Sequence, residues 1–474
     1  MEKEDFVPLS QRDHLSIGRM VCIAAGWFAN SINWTLIFAL STPLFERLKI
    51  TGIPATMVWF AGAVIVFIFQ PLSGAYSDQC TSRWGRRRIW VVGSMILIVV
   101  GMLFVMFSVN IAEKIYPGTD AESVKKFEST ARGIIIPSLL IWYLGASTFQ
   151  GPMRALASDS CPVNQQMVMS NICNIINTIS ALLVNLIGAL SLYKYTPFKQ
   201  EEFLILIGTI LAVFTIIVSC FAAPEQPLFE KPPNVANPFV QIARQLKKIP
   251  KSVLIISIEY GLSQCAFYEK GVFETAFFAT TIYGGDNDYT AGPEANQKYQ
   301  DGLSFAMMVA CIMNGTNFLY GLVNTIIIDK IGMKLSYGLS MVLSSIGFLL
   351  VLWIRNKWVL LFMWIIFGVG SVLFNTVPNA VTALSVKQDD LASYLGIVNS
   401  VNVIGQQVSN FVIGMGFGSL WSEPYKKIAC GCVPAIASAI GAFFIIVPNG
   451  STVVEHDEED SNESKSDSDR PEAL

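Results

Sequence analysis

Charge is scarce in this chain: 14% of its 474 residues are Asp, Glu, Lys or Arg, against 53% that are hydrophobic. Soluble chains carry about 25% charge, so this shortage excludes an ordinary water-soluble globule and implies a polytopic membrane protein. Histidine is nearly missing. His14 and His456 both lie in the terminal segments, which leaves no imidazole for catalysis or metal binding inside a bilayer. Neither a GxSxG turn nor a phosphate-binding glycine loop occurs, so an intramembrane enzyme is disfavoured, and neither a cofactor nor a metal is expected. The nine cysteines are scattered, and Cys430 and Cys432 sit too close for a CxxC pair, which argues against a disulfide framework or zinc site. A net charge of −3 offers nothing to nucleic acid. The opening MEKEDFVPLSQRDH is polar and partly acidic, unlike a cleavable signal peptide, so the first apolar run is expected to serve as its own insertion signal.

What the chain does have is long apolar runs. They fall near 18–45, 54–76, 89–111, 133–157, 166–192 and 202–222, then near 253–279, 303–328, 335–354, 358–383, 393–420 and 427–447. A helix needs about 20 apolar residues to cross a bilayer, so the expected fold is an all-α membrane protein of twelve transmembrane helices in two six-helix bundles. The implied organisation is an N-terminal tail (1–17), a first bundle (18–222), a linker rich in proline and charge (223–252), a second bundle (253–447) and an acidic tail (448–474) expected to be disordered. Ser464 and Ser466 precede acidic residues in that tail and are candidate phosphorylation sites.

The stretch GAYSDQCTSRWGRRR, from Gly74 to Arg88, joins two of these runs. It sets Arg83, Arg86, Arg87 and Arg88 against the lone acid Asp78. Cationic loops stay on the cytoplasmic side, which places both termini in the cytosol of a plasma-membrane or internal-membrane protein. The same loop is a candidate gating element. An echo of it follows the second run of the other half, Asp329-Lys330-Ile331-Gly332-Met333-Lys334.

Polar side chains inside membrane runs should face a partner or a wet cavity. Here they form helical stripes: Asn399, Asn402, Gln406 and Asn410; Asn174, Asn177, Thr178 and Asn185; Asn30, Asn33 and Ser41; Asn314, Asn317 and Asn324; Asn375 and Asn379. Any one of them could simply be an interhelical hydrogen bond, worth about 0.6 kcal/mol on average. Five stripes together are better explained by a hydrated passage. Its lining is neutral amide with Trp27, Trp34, Trp59, Trp142 and Tyr143 nearby, which suits a neutral polyol or saccharide: amides bond hydroxyls in both directions and rings stack on a sugar face. The candidate substrate contacts are Asn30, Asn33, Arg154, Asn174, Asn177, Asn314, Asn317, Asn399 and Gln406. Span seven carries the intramembrane charges Glu259, Glu269, Lys270 and Glu274, candidates for proton coupling; Lys270 and Glu274 are four apart and able to pair. Arg154 reads equally as a positive-inside anchor or as a substrate or gate contact, and Gly151-Pro152 should weaken the helix before it.

With those residues in view, the loop QPLSGAYSDQCTSRWGRRR resembles that of the sucrose/proton symporters of the glycoside–pentoside–hexuronide group, within the major facilitator superfamily. So do QGPMRALASD (Gln150–Asp159), IYGGD (Ile282–Asp286) and LGIVNSVNVIGQQ (Leu395–Gln407). The resemblance implies alternating access, a saccharide substrate between parallel six-span repeats, and a functional role for Arg154. It also exposes departures. Tyr143 stands where that family has an aspartate in span four; of its paired aspartates in span seven, one aligns with Glu274 and the other with Ala276; Ser304 replaces an arginine. Either Glu274, Glu269 or Glu259 takes over proton coupling, or the protein is an uncoupled facilitator. A transporter-like sensor that binds ligand without flux is the alternative from another class.

Overall fold

The structure is a computed structural model that describes residues 9–50, 52–117, 121–225, 247–288, 291–386, 388–417, 421 and 423–448. The acidic tail from 449, residues 1–8 and most of the linker (226–246), with the expectations placed on them, lie outside the described residues. Fourteen α-helices follow one another among the described residues. In the first half these are α1 (Ile17–Ala24), α2 (Gly26–Arg47), α3 (Ile53–Asp78), α4 (Arg88–Ile115), α5 (Ala121–Asp159), α6 (Gln166–Ala189) and α7 (Gln200–Ala222). In the second half they are α8 (Lys251–Ala276), α9 (Pro293–Ile331), α10 (Met333–Leu350), α11 (Lys357–Ser385), α12 (Gln388–Ser409), α13 (Pro424–Cys430) and α14 (Cys432–Gly441).

Two pairs of these make single crossings. The α1–α2 pair breaks only at Ala25 and α13–α14 only at Gly431, so twelve rods cross the molecule. Ten are long and apolar enough to span a membrane on composition alone. The two that fall short, α8 and α12, are those with the intramembrane charges and the longest amide stripe. Both end in a π-helical turn, Phe277–Ile282 after α8 and Asn410–Phe417 after α12. The Gly151-Pro152 step leaves α5 unbroken. Its glycine instead brings α5 against α3, where a Cβ on Gly151 would stand 3.2 Å from the Gln70 carbonyl oxygen.

Packing separates the halves. One apolar core gathers α1–α7 around Trp142, Phe149 and Met20 and takes in Tyr268, Val272 and Met307 from the second half; a second gathers α8–α14 around Trp364, Tyr337 and Phe367. Glycines set the closest approaches: a Cβ on Gly101 or on Gly145 would lie 2.8 Å from side chains across the α4–α5 seam. Large apolar residues such as Phe104, Phe214, Leu319 and Phe443 remain exposed on the outer surfaces, as lipid-facing helices require. The halves meet along α2–α8, α6–α9 and α3 with the π-helical turn after α12. The turns closing the second rod of each half match: Gly85 and Gly332 both have positive φ, +107° and +85°, a conformation that favours glycine.

Candidate binding cavity

A cavity of about 540 Å³ lies between the halves at mid-height, lined from α2, α5, α6, α8 and α9. Five of the amides singled out by their helical spacing meet there: Asn30, Asn174, Asn177, Asn185 and Asn314. Trp27, Trp34 and Phe38 supply aromatic walls. The volume sits within the roughly 300–1,000 Å³ typical of small-molecule sites.

Four buried polar atoms on this lining have no partner: Trp27 Nε1, Asn177 Oδ1, Thr275 Oγ1 and Glu274 Oε1. Buried polar groups are nearly always satisfied, so four orphans around one cavity, contributed by α2, α6 and α8, leave hydrogen-bonding capacity there for a polar ligand. The set contains a donor (the indole), acceptors (the amide and carboxylate oxygens) and a hydroxyl that serves as both. Glu274 reaches this position because Lys270 holds its other oxygen: Lys270 Nζ donates to Glu274 Oε2 at 2.6 Å. The ammonium also contacts Met313 Sδ at 3.0 Å and the Trp364 ring, 5.5 Å from its centroid.

A second hollow of about 370 Å³ adjoins the first through Trp27 and Asn174, on the side of the basic loop. Arg154 lines it with Ser158, Gln166 and Ser170, its guanidinium 5.7 Å from the Trp27 ring centre. Gln150 belongs to the main cavity, where it accepts from Gln70 at 3.1 Å.

Other expected contacts stand apart from this lining. Asn33 accepts from Trp142 Nε1 at 3.2 Å inside the first core. Asn317 bonds Ser371 on α11. Asn399 is exposed midway along α12, and its Oδ1 accepts from Asn402. Gln406 donates to Gln264 and Asn402. Glu259 accepts from Ser438 at 3.2 Å, and Glu269 from Ser409 at 3.2 Å, both within the second half. Trp59, Tyr143 and Tyr268 form an edge-to-face aromatic cluster beneath Trp34 and Phe38. Spacing did not single out Thr275, Ser31 or Thr35; a hydroxyl that can bond its own helix backbone carries little signal in sequence.

At the end opposite the basic loop the halves are sealed. Tyr299 donates to Glu46 at 2.6 Å, Asn287 to the Pro43 carbonyl at 2.9 Å, and Ser304 to Gln200 at 2.9 Å. Gln300 reaches Glu201 at 3.3 Å and Lys194 pairs with Asp301 at 3.0 Å. Among the described residues, polar contacts between the halves lie at that end or at mid-height, as with Cys311 and the Leu182 carbonyl. The cavity therefore opens toward the basic loop.

That loop is tied within the first half. Arg87 pairs with Asp78 and, at 3.1 Å, with Asp159; Arg86 also reaches Asp159, at 2.7 Å. Glu225, just past α7, accepts from the backbone N–H groups of Arg87 and Arg88 and lies 3.7 Å from the Arg88 guanidinium. Arg83 is exposed.

Comparison with known proteins agrees with this architecture. The family model described as Major Facilitator Superfamily matches residues 22–322 and 276–470. The chain is 24% identical to sucrose transport protein SUT1 of Oryza sativa subsp. japonica, over 90% of this chain and 86% of that protein. It is 25% identical to sucrose transport protein SUC4 of Arabidopsis thaliana, over 90% and 87%. Among solved structures, a mutant of the nucleoside transporter NupG superposes with a TM-score of 0.64 at 13% identity, covering 90% of this chain and all of that one. The D-xylose-proton symporter gives 0.59 at 13% identity, covering 92% and 99%. The two bundles, the cavity between them and a family model spanning nearly all of the membrane region lead to one assignment: this chain belongs to the major facilitator superfamily.

Proposed function

We propose that the protein is a secondary transporter that moves a neutral saccharide of the sucrose class by alternating access, coupled to protons exchanged at Glu274. The observation that carries this reading is the set of four orphaned polar atoms beside Trp27 and Trp34. A ligand with many hydroxyls satisfies donor and acceptor orphans together and lays its C–H face on an indole. An anionic ligand would meet the carboxylate of Glu274. The relatives named as sucrose transport proteins support the same substrate class.

In this reading Asn30, Asn174, Asn177, Asn314 and Arg154 contact the sugar along its path, while Asn33, Asn317, Asn399 and Gln406 brace the helices that present them. Glu274 is the one carboxylate among the described residues of the lining, so a proton and the sugar can meet at a single group. Protonation would release Lys270 and change the cavity wall. Glu259 and Glu269 serve the interior of the second bundle. Asp78, Arg86, Arg87 and Arg88 act as a clasp that keeps the ends of α3, α5 and α7 moving as one body, with Arg83 facing the lipid headgroups.

The basic loop orients both termini to the cytosol of a plasma or internal membrane, which makes the present conformation inward-facing. The test is uptake of labelled sucrose into proteoliposomes with and without an inward proton gradient. Accumulation above equilibrium that collapses with the gradient is expected. Binding without any flux would instead make the protein a sensor, and flux indifferent to the gradient would remove the coupling.

A further inference from the structure

A further cavity, of about 500 Å³, lies between the halves on the sealed side, away from the central site. Its wall includes Thr42, Glu46, Trp59, Phe273, Asn410 and Lys427. A partition separates the two. Phe38, which faces the central cavity, stacks on Trp59 at 5.4 Å, Tyr268 packs edge-on against both rings, and Thr42 Oγ1 donates to the Val272 carbonyl at 2.6 Å.

Lys427 is the unusual member. It is only 6% exposed, and among the described residues its ammonium has no oxygen acceptor within hydrogen-bonding distance and no carboxylate within 4.0 Å. Its one close partner is the Phe273 ring, 4.3 Å from the centroid. Glu46 and Glu269 act on it only at longer Coulombic range. A buried ammonium with unused donors is costly unless something supplies oxygens. Glu46, on the same wall, accepts from Tyr299 through Oε2 and leaves Oε1 unused. The pocket thus offers a strong donor, a strong acceptor and the faces of Trp59 and Phe273. A simple anion would satisfy Lys427 but meet Glu46; a simple cation would do the reverse. Vicinal hydroxyls satisfy both, and the apolar side of a sugar ring fits the aromatic faces.

We propose that this pocket is a second saccharide site on the outer side of the partition, occupied while the central cavity faces the cytosol. It rests on the saccharide reading given above and extends it: sugar bound there stands one aromatic layer from the central site and passes inward when the Phe38–Trp59 stack and the Thr42–Val272 bond part.

The test is equilibrium binding of radiolabelled sucrose to the full-length protein in nanodiscs. Two sucrose molecules per chain are expected for the native protein. Lys427→Gln should remove one, and Asn177→Ala should weaken the other by about fivefold while sparing the first. If Lys427→Gln does not fold, Ala55→Trp fills the same pocket from α3 and should also leave one molecule bound. A native stoichiometry of one, weakened by Asn177→Ala, would overturn the second site and leave the transport reading intact. Two molecules retained in both Lys427→Gln and Ala55→Trp would overturn it as well. No sucrose bound at all would overturn the substrate class together with this inference.

Discussion

Lys270 and Glu274 meet at 2.6 Å one helical turn apart on α8, and their pairing occupies one carboxylate oxygen while the other, buried beside the cavity, has no partner. In the proposed function, ion pair and ligand contact are thus combined in a single side chain. Substitution can separate the two roles. Glu274→Gln alone strands a buried ammonium, which costs about 3–5 kcal/mol and should read as a lowered melting temperature. The double change Lys270→Met with Glu274→Gln removes both charges and should recover most of that loss. The double variant should exchange sugar but fail to accumulate it against a gradient. Uphill accumulation by that variant would show that the proton is carried elsewhere.

Asn177 and Asn33 are both amides inside the first bundle, yet their surroundings assign them different work. Asn177 Oδ1 is an orphan on the cavity wall; Asn33 Oδ1 takes the Trp142 indole proton at 3.2 Å. Asn177→Ala should weaken sucrose binding about fivefold, near 1 kcal/mol, with little change in melting temperature. Asn33→Ala leaves a buried N–H unsatisfied and should lose about 1–3 kcal/mol of stability with affinity unchanged. The opposite pattern would exchange the two roles.

These two residues also show what sequence could and could not disclose. Twelve rods were legible because lipid demands long apolar runs, and even the polar exceptions α8 and α12 stood out by their charges and amides. Spacing put Asn174, Asn177 and Asn185 on one face of α6, and that face does line the cavity. Spacing could not say which stripe faces the gap between the halves, since Asn33 and Asn317 obey the same periodicity while serving a core. Glu46 and Lys427 were silent for another reason. Each sits at a helix end, where a charge reads as an interfacial anchor, and only the folded chain brings them to one pocket.

The seal at the end opposite the basic loop, the outer side in the proposed orientation, rests on a few buried contacts. Asn287 donates to the Pro43 carbonyl at 2.9 Å and to Glu201 at 3.3 Å, joining the segment after α8 to the first bundle. Asn287→Ala should cost the sealed state about 1 kcal/mol and raise the outward-open population about fivefold. Labelling of Met307→Cys by an impermeant thiol reagent from outside, in a cysteine-free background, reads this population. Lys194→Ala should change the labelling little, because its pair with Asp301 is exposed and worth less. Equal effects of the two substitutions would contradict a seal carried by the buried contacts.

Glu225 couples the segment after α7 to the basic loop, and its titration gives that joint a pH dependence. Its side chain is 8% exposed; burial raises the carboxyl pKa above 4.5, opposed by the hydrogen bonds from the Arg88 and Arg87 backbone. A raised carboxyl pKa means that, just above pH 4.5, the folded chain keeps a proton that the unfolded chain has released. The contribution of Glu225 to stability is therefore greatest below that window and declines as pH rises through the folded-state pKa. Glu225→Gln stays neutral throughout and keeps one acceptor oxygen for the backbone N–H groups. Melting temperatures in nanodiscs, taken in steps from about pH 4 to 8, should fall less for Glu225→Gln than for the native chain as pH rises. Parallel curves would mean that the carboxyl titrates alike in both states. Gly85→Ala should lower stability at every pH, since the residue has a φ of +107° and its new Cβ would stand 2.8 Å from that of Glu225.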